Sequence, residues 1–384
     1  MVPLIYEENL NYCYFPPSLL GVGNFSDFST YRDEDVSNIT DFDFKYAENG
    51  LKLYFKTNQK NFEKIPGSPI GYWVSENIIK AMSQNIIGNN YKVIAGLCTG
   101  DNARYIYNWF EPNKKDIVFP FESISDKKFK FHNKGGEARK WYGNQDLIVK
   151  YNSDSLKELQ TLPGFRNDGN EYFFKESISW AKITSSYNTF RYYPKGFIFD
   201  SAGSSIFSVN NGKISLTLLG FCNSILSRTL ISIINPTINA SPGIIRKLPL
   251  PNNKEIIEKI VCQNISISRS DWDAHETSWD FQRNELLTID AETYADNIQY
   301  QIEKHEKETG EKICIDPAAP ELGSLAWRME QYKLKWEKLF MQLHANEEEL
   351  NRQFIDIYGL QDELTPDVPL DEVTILQQGE ISIE

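Results

Sequence analysis

Lys127-Lys128-Phe129-Lys130-Phe131-His132-Asn133-Lys134-Gly135-Gly136-Glu137-Ala138-Arg139-Lys140-Trp141-Tyr142-Gly143-Asn144 is the stretch on which the fold and function of this chain turn. It interleaves six Lys/Arg with four aromatic residues. Cations neutralise phosphates, Arg and Asn side chains read base edges, and aromatic faces stack on bases. Gly135-Gly136 would let the backbone approach a ligand closely. Lys182, Arg191, Lys195, Arg246 and Lys247 continue the same sign further along the chain. A solvated hairpin with ordinary surface lysines has the same composition, so that second reading stands beside the first.

Outward from this stretch the charge balance changes sign. The 384 residues include 40 Lys+Arg and 53 Asp+Glu, a net charge of −13, which for the chain as a whole argues against a polyanionic partner. Taken by region the charge is −4 over 1–90, +8 over 91–250 and −17 over 251–384, so the middle is basic and the rest acidic. A hydrophobic content of 41%, with 13% aromatic residues, suffices for sizeable cores and excludes a mostly disordered chain. Cys13, Cys98, Cys222, Cys262 and Cys314 are scattered without CxxC spacing, which indicates reduced thiols and neither a zinc site nor a disulfide framework. Met1–Glu8 has no basic region ahead of an apolar run, so no signal peptide is expected. The most apolar stretch, Leu216–Ile234, is interrupted by Asn223, Ser224, Ser227, Arg228 and Ser232; no membrane partner and a cytoplasmic location are expected.

The pattern implies an α+β chain. Residues 1–60 are aromatic-rich and irregular, with an acidic patch at Asp33-Glu34-Asp35 and a strand-like alternation over Leu51–Phe55. Residues 61–90 read as a linker or strap around Ile65-Pro66-Gly67-Ser68-Pro69, followed by a short helix to about Met82. Residues 91–262 read as a mixed-sheet domain with candidate strands at Lys92–Leu97, Asp116–Phe121, Leu147–Tyr151, Gly169–Phe174, Ser179–Thr184 and Gly196–Phe199. Leu218, Cys222, Ile225, Leu226, Thr229 and Ile233 form one apolar stripe of an embedded helix that Asn235-Pro236 stops. Residues 263–366 read as mainly helical: Ser270 or Asp271 could cap one helix, and Tyr332, Trp336, Leu339, Phe340, Leu343, Leu350, Phe354, Ile357 and Tyr358 line another that Gly359 ends. Residues 367–384 read as a frayed acidic tail.

Catalytic chemistry is not evident in the residues. His132, His275, His305 and His344 form no HExxH or Ser/His/Asp pattern, Gly21-Val22-Gly23 is too short for a dinucleotide fingerprint, and there is no Walker loop. The turn Gly96-Leu97-Cys98-Thr99-Gly100-Asp101-Asn102-Ala103-Arg104-Tyr105 follows a strand-like run and reads either as a plain turn or as a loop presenting Asp, Asn and Arg to a ligand.

Lys64–Pro69 with Tyr72-Trp73, Gly96–Asn102, Lys134–Asn144, Lys195–Asp200 with Ala202–Ser205, Asp271–Asp273 with Glu276–Phe281, and Glu348–Arg352 with Phe354–Leu360 occur in an order that resembles one family. It is the C-terminal half of PglX, the adenine-specific DNA methyltransferases of BREX phage-defence systems, itself similar to the specificity regions of TaqI-like and type IIG enzymes. The resemblance spans about residues 60–366. It implies a DNA target-recognition domain at 91–262 followed by a helical C-terminal domain, with double-stranded DNA as partner. Lys134, Lys140, Lys182 and Lys195 are then expected on phosphates, and Arg139, Trp141, Tyr142, Asn144 and Arg191 on bases. The resemblance adds Thr99, Asp101, Asn102 and Arg104 to the DNA-binding set, whereas Trp272, Trp279 and Phe281 are expected to pack helices.

The departure from the family is in its chemistry. Members transfer a methyl group from S-adenosylmethionine to adenine, using a glycine-containing cofactor motif and an Asn/Asp/Ser-Pro-Pro-Tyr/Phe motif that holds the flipped base. Phe15-Pro16-Pro17-Ser18 lacks the polar residue before and the aromatic residue after the prolines, and Asn235-Pro236-Thr237 has a single proline. The expectation is a truncated or split-gene specificity portion with no catalytic residues and no cofactor of its own. Its partners would be DNA, a separate methyltransferase-domain polypeptide and other BREX components. A protein-interaction module in the acidic helical segment, or a remnant of a truncated methyltransferase gene, are the other readings.

Overall fold

The computed structural model describes residues 5–7, 12–15, 55–58, 65, 74–184, 187–209, 212–235, 237–315 and 324–376. Asp33-Glu34-Asp35, Leu51–Tyr54, most of residues 61–73 of the expected 61–90 linker, the Pro16-Pro17 pair and residues 377–384 lie outside them. The chain divides into two compact bodies, Met1–Gln84 and Asn85–Glu384. The first holds an antiparallel sheet in the order β1 (Ile5–Glu7), β2 (Tyr12–Phe15), β3 (Phe55–Asn58). It also holds helix α1 (Glu76–Met82), whose first turn is capped by Ser75 accepting from the Ile78 N–H at 3.1 Å.

The second body contains both the sheets and the long helices. A four-stranded antiparallel sheet runs β12 (Phe190–Tyr193), β11 (Ser177–Trp180), β14 (Ser205–Ser208), β4 (Tyr91–Ile94), and β5 (Leu97–Cys98) pairs with β10 (Arg166–Asn167). A five-stranded mixed sheet is centred on β8 (Phe129–Asn133). One side of β8 carries β9 (Leu147–Lys150), antiparallel, and beyond it β6 (Ile106–Asn108). Its other side carries two parallel strands, β7 (Ile117–Val118) along the first half and β13 (Phe197–Phe199) along the second. Successive strand residues point to opposite faces. Ile148 thus joins a cluster with Trp109, Phe129, Phe131, Tyr193 and Phe197, while Val149 joins one with Leu97, Tyr105, Leu159, Phe199 and Phe207. Both faces of the mixed sheet are covered, so Lys130 and His132, alternating with Phe129 and Phe131, are buried as well.

Among the described residues the helices of seven or more residues in this body are α2 (Ser153–Leu159), α3 (Leu216–Cys222), α4 (Ile225–Ile234), α5 (Glu255–Asp273), α6 (Ala291–Thr309) and α7 (Leu325–Tyr358). The single apolar stripe expected over Leu218–Ile233 is broken into α3 and α4, bent by 63°. Asn223 leaves the helix to bond Phe190 in both directions, and Ser224 caps the next one. Among the described residues no single helix is long and apolar enough to cross a membrane, and both halves of the bent pair are largely buried. Glycine at 220 allows α3 to approach α5, since a Cβ there would meet Val261 Cγ2 at 2.9 Å. Helix α5 starts at Glu255 and runs through Ser270 and Asp271, so neither residue is an N-cap, and the expected boundary at 262/263 falls inside this helix.

Helix α7, of 34 residues, is capped by Ser324 and ends on Gly359 at φ 67, as its pattern anticipates. Trp336, Leu343 and Leu350, seven residues apart, are buried along it. Gly169–Phe174 is a turn rather than a strand: Gly169 has φ 68 and a 3-10 turn follows at Asn170–Tyr172. Of the tail expected to fray, residues 367–376 are packed: Val368, Val373 and Ile375 are buried, and the segment lies as a strap across the helices. It is held by Asn351 donating to Pro366 O at 3.0 Å and a His344 contact to Val368 O at 2.7 Å.

Candidate nucleic-acid interface

The Arg139–Asn144 segment leaves β8 and turns inward. Trp141 and Asn144 adopt positive φ (69 and 55), and Trp141 makes a parallel bridge to Arg191 of β12. Its side chains reach the helices. Arg139 donates to Asp271 of α5 at 2.5 Å, to Ser268 O and to Tyr142 O, and lies 5.1 Å over the Trp272 ring. Lys140 Nζ and Trp141 Nε1 both donate to Glu347 of α7, at 2.6 and 2.7 Å. The Lys140 N–H donates to Thr374 of the strap at 2.8 Å, and the Leu376 N–H to Asp271. Tyr142 is buried, which pushes its phenol up to about 12, with Arg269 stacked 5.5 Å from its ring.

These contacts hold inside the protein four of the five residues expected on bases, together with Lys140, which was expected on a phosphate. Arg139, Lys140, Trp141, Tyr142 and Arg191 are between 0% and 4% exposed. Arg191 instead donates to Gly135 O at 2.9 Å and toward Glu137 O, while the Asn144 amide donates to the same two carbonyls at 3.0 Å. Arg139, Lys140, Trp141, Tyr142 and Arg191 therefore act as a latch, joining sheet to helices and pinning the Gly135–Glu137 turn. An exposure-blind reading of composition cannot separate the two roles. Asp271 and Glu347, which complete the latch, were missed because in sequence they are two carboxylates among many in an acidic region.

The pinned turn is itself exposed at Gly136, Glu137 and Ala138, with Lys134 half-buried beside it. Gly135 and Gly136 have φ of 86 and 82. A Cβ on Gly135 would lie 3.0 Å from Ala202 O and 3.2 Å from Ala181 Cα, so this turn packs between the ends of β11 and β13. Lys182 follows β11, its N–H donating to Ala202 O at 2.8 Å. Lys134 and Lys182 thus flank one loop cluster. Beneath it the buried His132–Asp200 contact is 3.2 Å, and Asp200 also accepts from the Ala202 N–H at 2.7 Å. Burial opposes the Asp200 charge, but His132, the Ala202 N–H and Lys134 together hold its carboxyl below the usual range.

The remaining candidates lie elsewhere. Thr99 is fully buried and donates to Asn102 at 2.7 Å, and Asp101 caps the short helix Asn102–Tyr105, so this stretch is a self-capped turn. Arg104 is exposed and paired with Glu158 of α2 at 2.9 Å, and its carbonyl accepts from Lys150, at the end of the mixed sheet where β8 begins. Lys195 is exposed in the turn that enters β13, also at that end. The structure therefore unites Lys134 with Lys182 and places Arg104 and Lys195 at the opposite sheet end. Trp279 packs on the mixed sheet, 5.5 Å from Phe131, rather than between helices. Cys98, Cys222, Cys262 and Cys314 are free thiols, and no metal-binding cluster occurs among the described residues.

No family model matches the chain. Two curated relatives do. Adenine-specific methyltransferase PglX of Lacticaseibacillus casei (strain Zhang) is 34% identical over 346 residues, which is 85% of this chain and 26% of that protein. The chain is a PglX-type homologue. Adenine-specific methyltransferase BrxX of Escherichia coli O9:H4 (strain HS) is 32% identical over 266 residues, 67% of this chain and 21% of the relative. The chain thus spans about a quarter of the length of the PglX-type proteins it matches. A Cβ on Gly135 would meet Ala202 and Ala181, and one on Gly100 would meet Pro163 and Phe165.

Proposed function

We propose that this chain is the DNA-specificity part of a BREX-type adenine-specific methyltransferase in phage defence, corresponding to a portion of the C-terminal half of PglX. Its carrying observation is the match to about a quarter of the length of two proteins named adenine-specific methyltransferases. The +8 charge of 91–250, set between acidic flanks, supports duplex DNA as the ligand. In this reading Lys134 and Lys182 contact phosphates from the loop cluster at the end of β8, and the exposed Gly136–Ala138 turn enters a groove. The buried latch holds that turn in shape, so Arg139, Lys140, Trp141, Tyr142 and Arg191 act on DNA as positioning residues only. In this reading these 384 residues recognise DNA and do not themselves bind S-adenosylmethionine, and they act in the cytoplasm together with a methyltransferase domain and other BREX components.

Fluorescence anisotropy of a labelled duplex, titrated with the chain at several salt concentrations, tests the proposal. Each neutralised phosphate contributes about −0.9 to the slope of log K against log salt. Lys134→Ala and Lys182→Ala should each flatten the slope by about that amount. Lys195→Ala, at the opposite sheet end, should leave it unchanged. Duplex affinity independent of salt would overturn the proposal.

A further inference from the structure

The turn that the latch holds exposes Gly136, Glu137 and Ala138. Glycine and alanine carry no side-chain donor or acceptor, so the Glu137 carboxylate is the group at this tip that can tell base edges apart. We propose that Glu137 selects cytosine in the major groove of a bound duplex, accepting a hydrogen bond from the exocyclic N4 amine. The inference rests on duplex binding by this turn and adds which base the turn demands.

The backbone of Glu137 is held from the protein side. Its carbonyl accepts from the Asn144 amide at 3.0 Å and from Arg191 at 3.4 Å, and the Gly135 carbonyl accepts from the same two side chains at 3.0 and 2.9 Å. The exposed carboxylate is left over: among the described residues it makes no hydrogen bond and no ion pair. A side chain on a pre-formed turn gives up little freedom on binding, which favours a specific contact. Phosphates repel a carboxylate, so Glu137 is stable at a duplex only where cations offset its charge and a base offers it a donor. Lys134 stands before the turn, and Lys182 stands beside it through the packing of Gly135 on Ala181. The donor follows from the base edges. An ionised carboxylate only accepts. In the major groove cytosine presents its N4 amine alone, whereas adenine sets the N7 acceptor beside its N6 amine. Guanine presents N7 and O6, and thymine O4, all of them acceptors. Cytosine is therefore the favoured partner and adenine the second, while lone-pair repulsion disfavours guanine and thymine.

The test compares the full wild-type chain with Glu137→Gln and Glu137→Ala, near-ultraviolet circular dichroism checking that both variants are folded. Each selects duplexes from a randomised library, and anisotropy then gives affinities for the wild-type site and its single-base variants. Wild type should require cytosine at one position, any other base there weakening binding about 5- to 150-fold. Glu137→Gln, whose amide both donates and accepts, should shift the preference at that position alone to adenine. Glu137→Ala should level the bases there and leave every other position as in wild type. A wild-type site with no required cytosine, or one whose preferences persist in both variants, would overturn the inference and leave duplex recognition standing. So would a uniform loss of affinity with cytosine still preferred, which would make Glu137 a support of the turn. Enrichment of no sequence by wild type would overturn duplex recognition itself, and this inference with it.

Discussion

Replacing Glu347 with alanine removes a carboxylate that two buried donors share. Its oxygens accept from Lys140 Nζ at 2.6 Å and from Trp141 Nε1 at 2.7 Å, and the Lys140 and Glu347 side chains are 6% and 3% exposed. Removing one partner of a buried ion pair costs about 3–5 kcal/mol, because the other charge is left desolvated. An orphaned indole N–H adds about 1–3 kcal/mol, and since local rearrangement relieves both at once, the combined loss should be about 4–6 kcal/mol. Taking roughly 2 °C per kcal/mol, as for the larger domains to which that scaling applies, Tm should fall by about 8–12 °C. The double variant Lys140→Met/Glu347→Leu removes both charges and should recover most of the loss, leaving about 1–3 kcal/mol for the Trp141 N–H. Urea unfolding followed by tryptophan fluorescence and circular dichroism measures both. A Glu347→Ala loss below about 1 kcal/mol, or a double variant no more stable than the single, would refute the assignment of this pair as a buried latch.

Three further outcomes follow from the same geometry. Gly135→Ala places a Cβ at φ 86 and 3.0 Å from Ala202 O, and should cost about 1–3 kcal/mol in urea unfolding. Lys130 is 3% exposed, and burial draws its ammonium down to about 8, although it donates to Lys127 O and Asp126 opposes the shift. The unfolded chain, with lysine near 10.4, then holds the proton more tightly than the folded one, so stability should rise with pH between about 8 and 10.4 and be lost as pH falls through 8. Lys130→Met should abolish that rise and gain up to ~3 kcal/mol at pH 7, read from urea midpoints at pH 7 and pH 10.

The helical elements were the most legible in the sequence. The α7 pattern, ending at Gly359, survives into the structure because a buried face needs apolar residues at helical spacing wherever the helix goes. Leu218–Ile233 shows the limit of that logic: the stripe continues through a 63° break, since α3 and α4 bury their apolar faces in the same core, and only the capping role of Ser224 marks the interruption. Strand β8 was hidden for the opposite reason. Lys130, His132 and Asn133 give it a polar signature, yet all three are buried by helices and loops from distant parts of the chain.

The same tertiary effect governs the site. Residues chosen for charge and aromaticity proved to be a mixture of solvent-facing lysines and an interior latch, because Asp271 and Glu347, 132 and 207 residues away from Arg139 and Lys140, neutralise the two cations. Lys134 and Lys182 become neighbours of one turn only through the packing of Gly135 against Ala181 and Ala202, which no spacing rule anticipates.

The most direct test of the central claim is selection of bound duplexes from a randomised library by the full chain, followed by affinity measurement on the winning sequence and its single-base variants. Enrichment of one defined site, with each base change costing about 1–3 kcal/mol, is the predicted result. Retention of duplexes with no enriched sequence, or no retention at low salt, would contradict it.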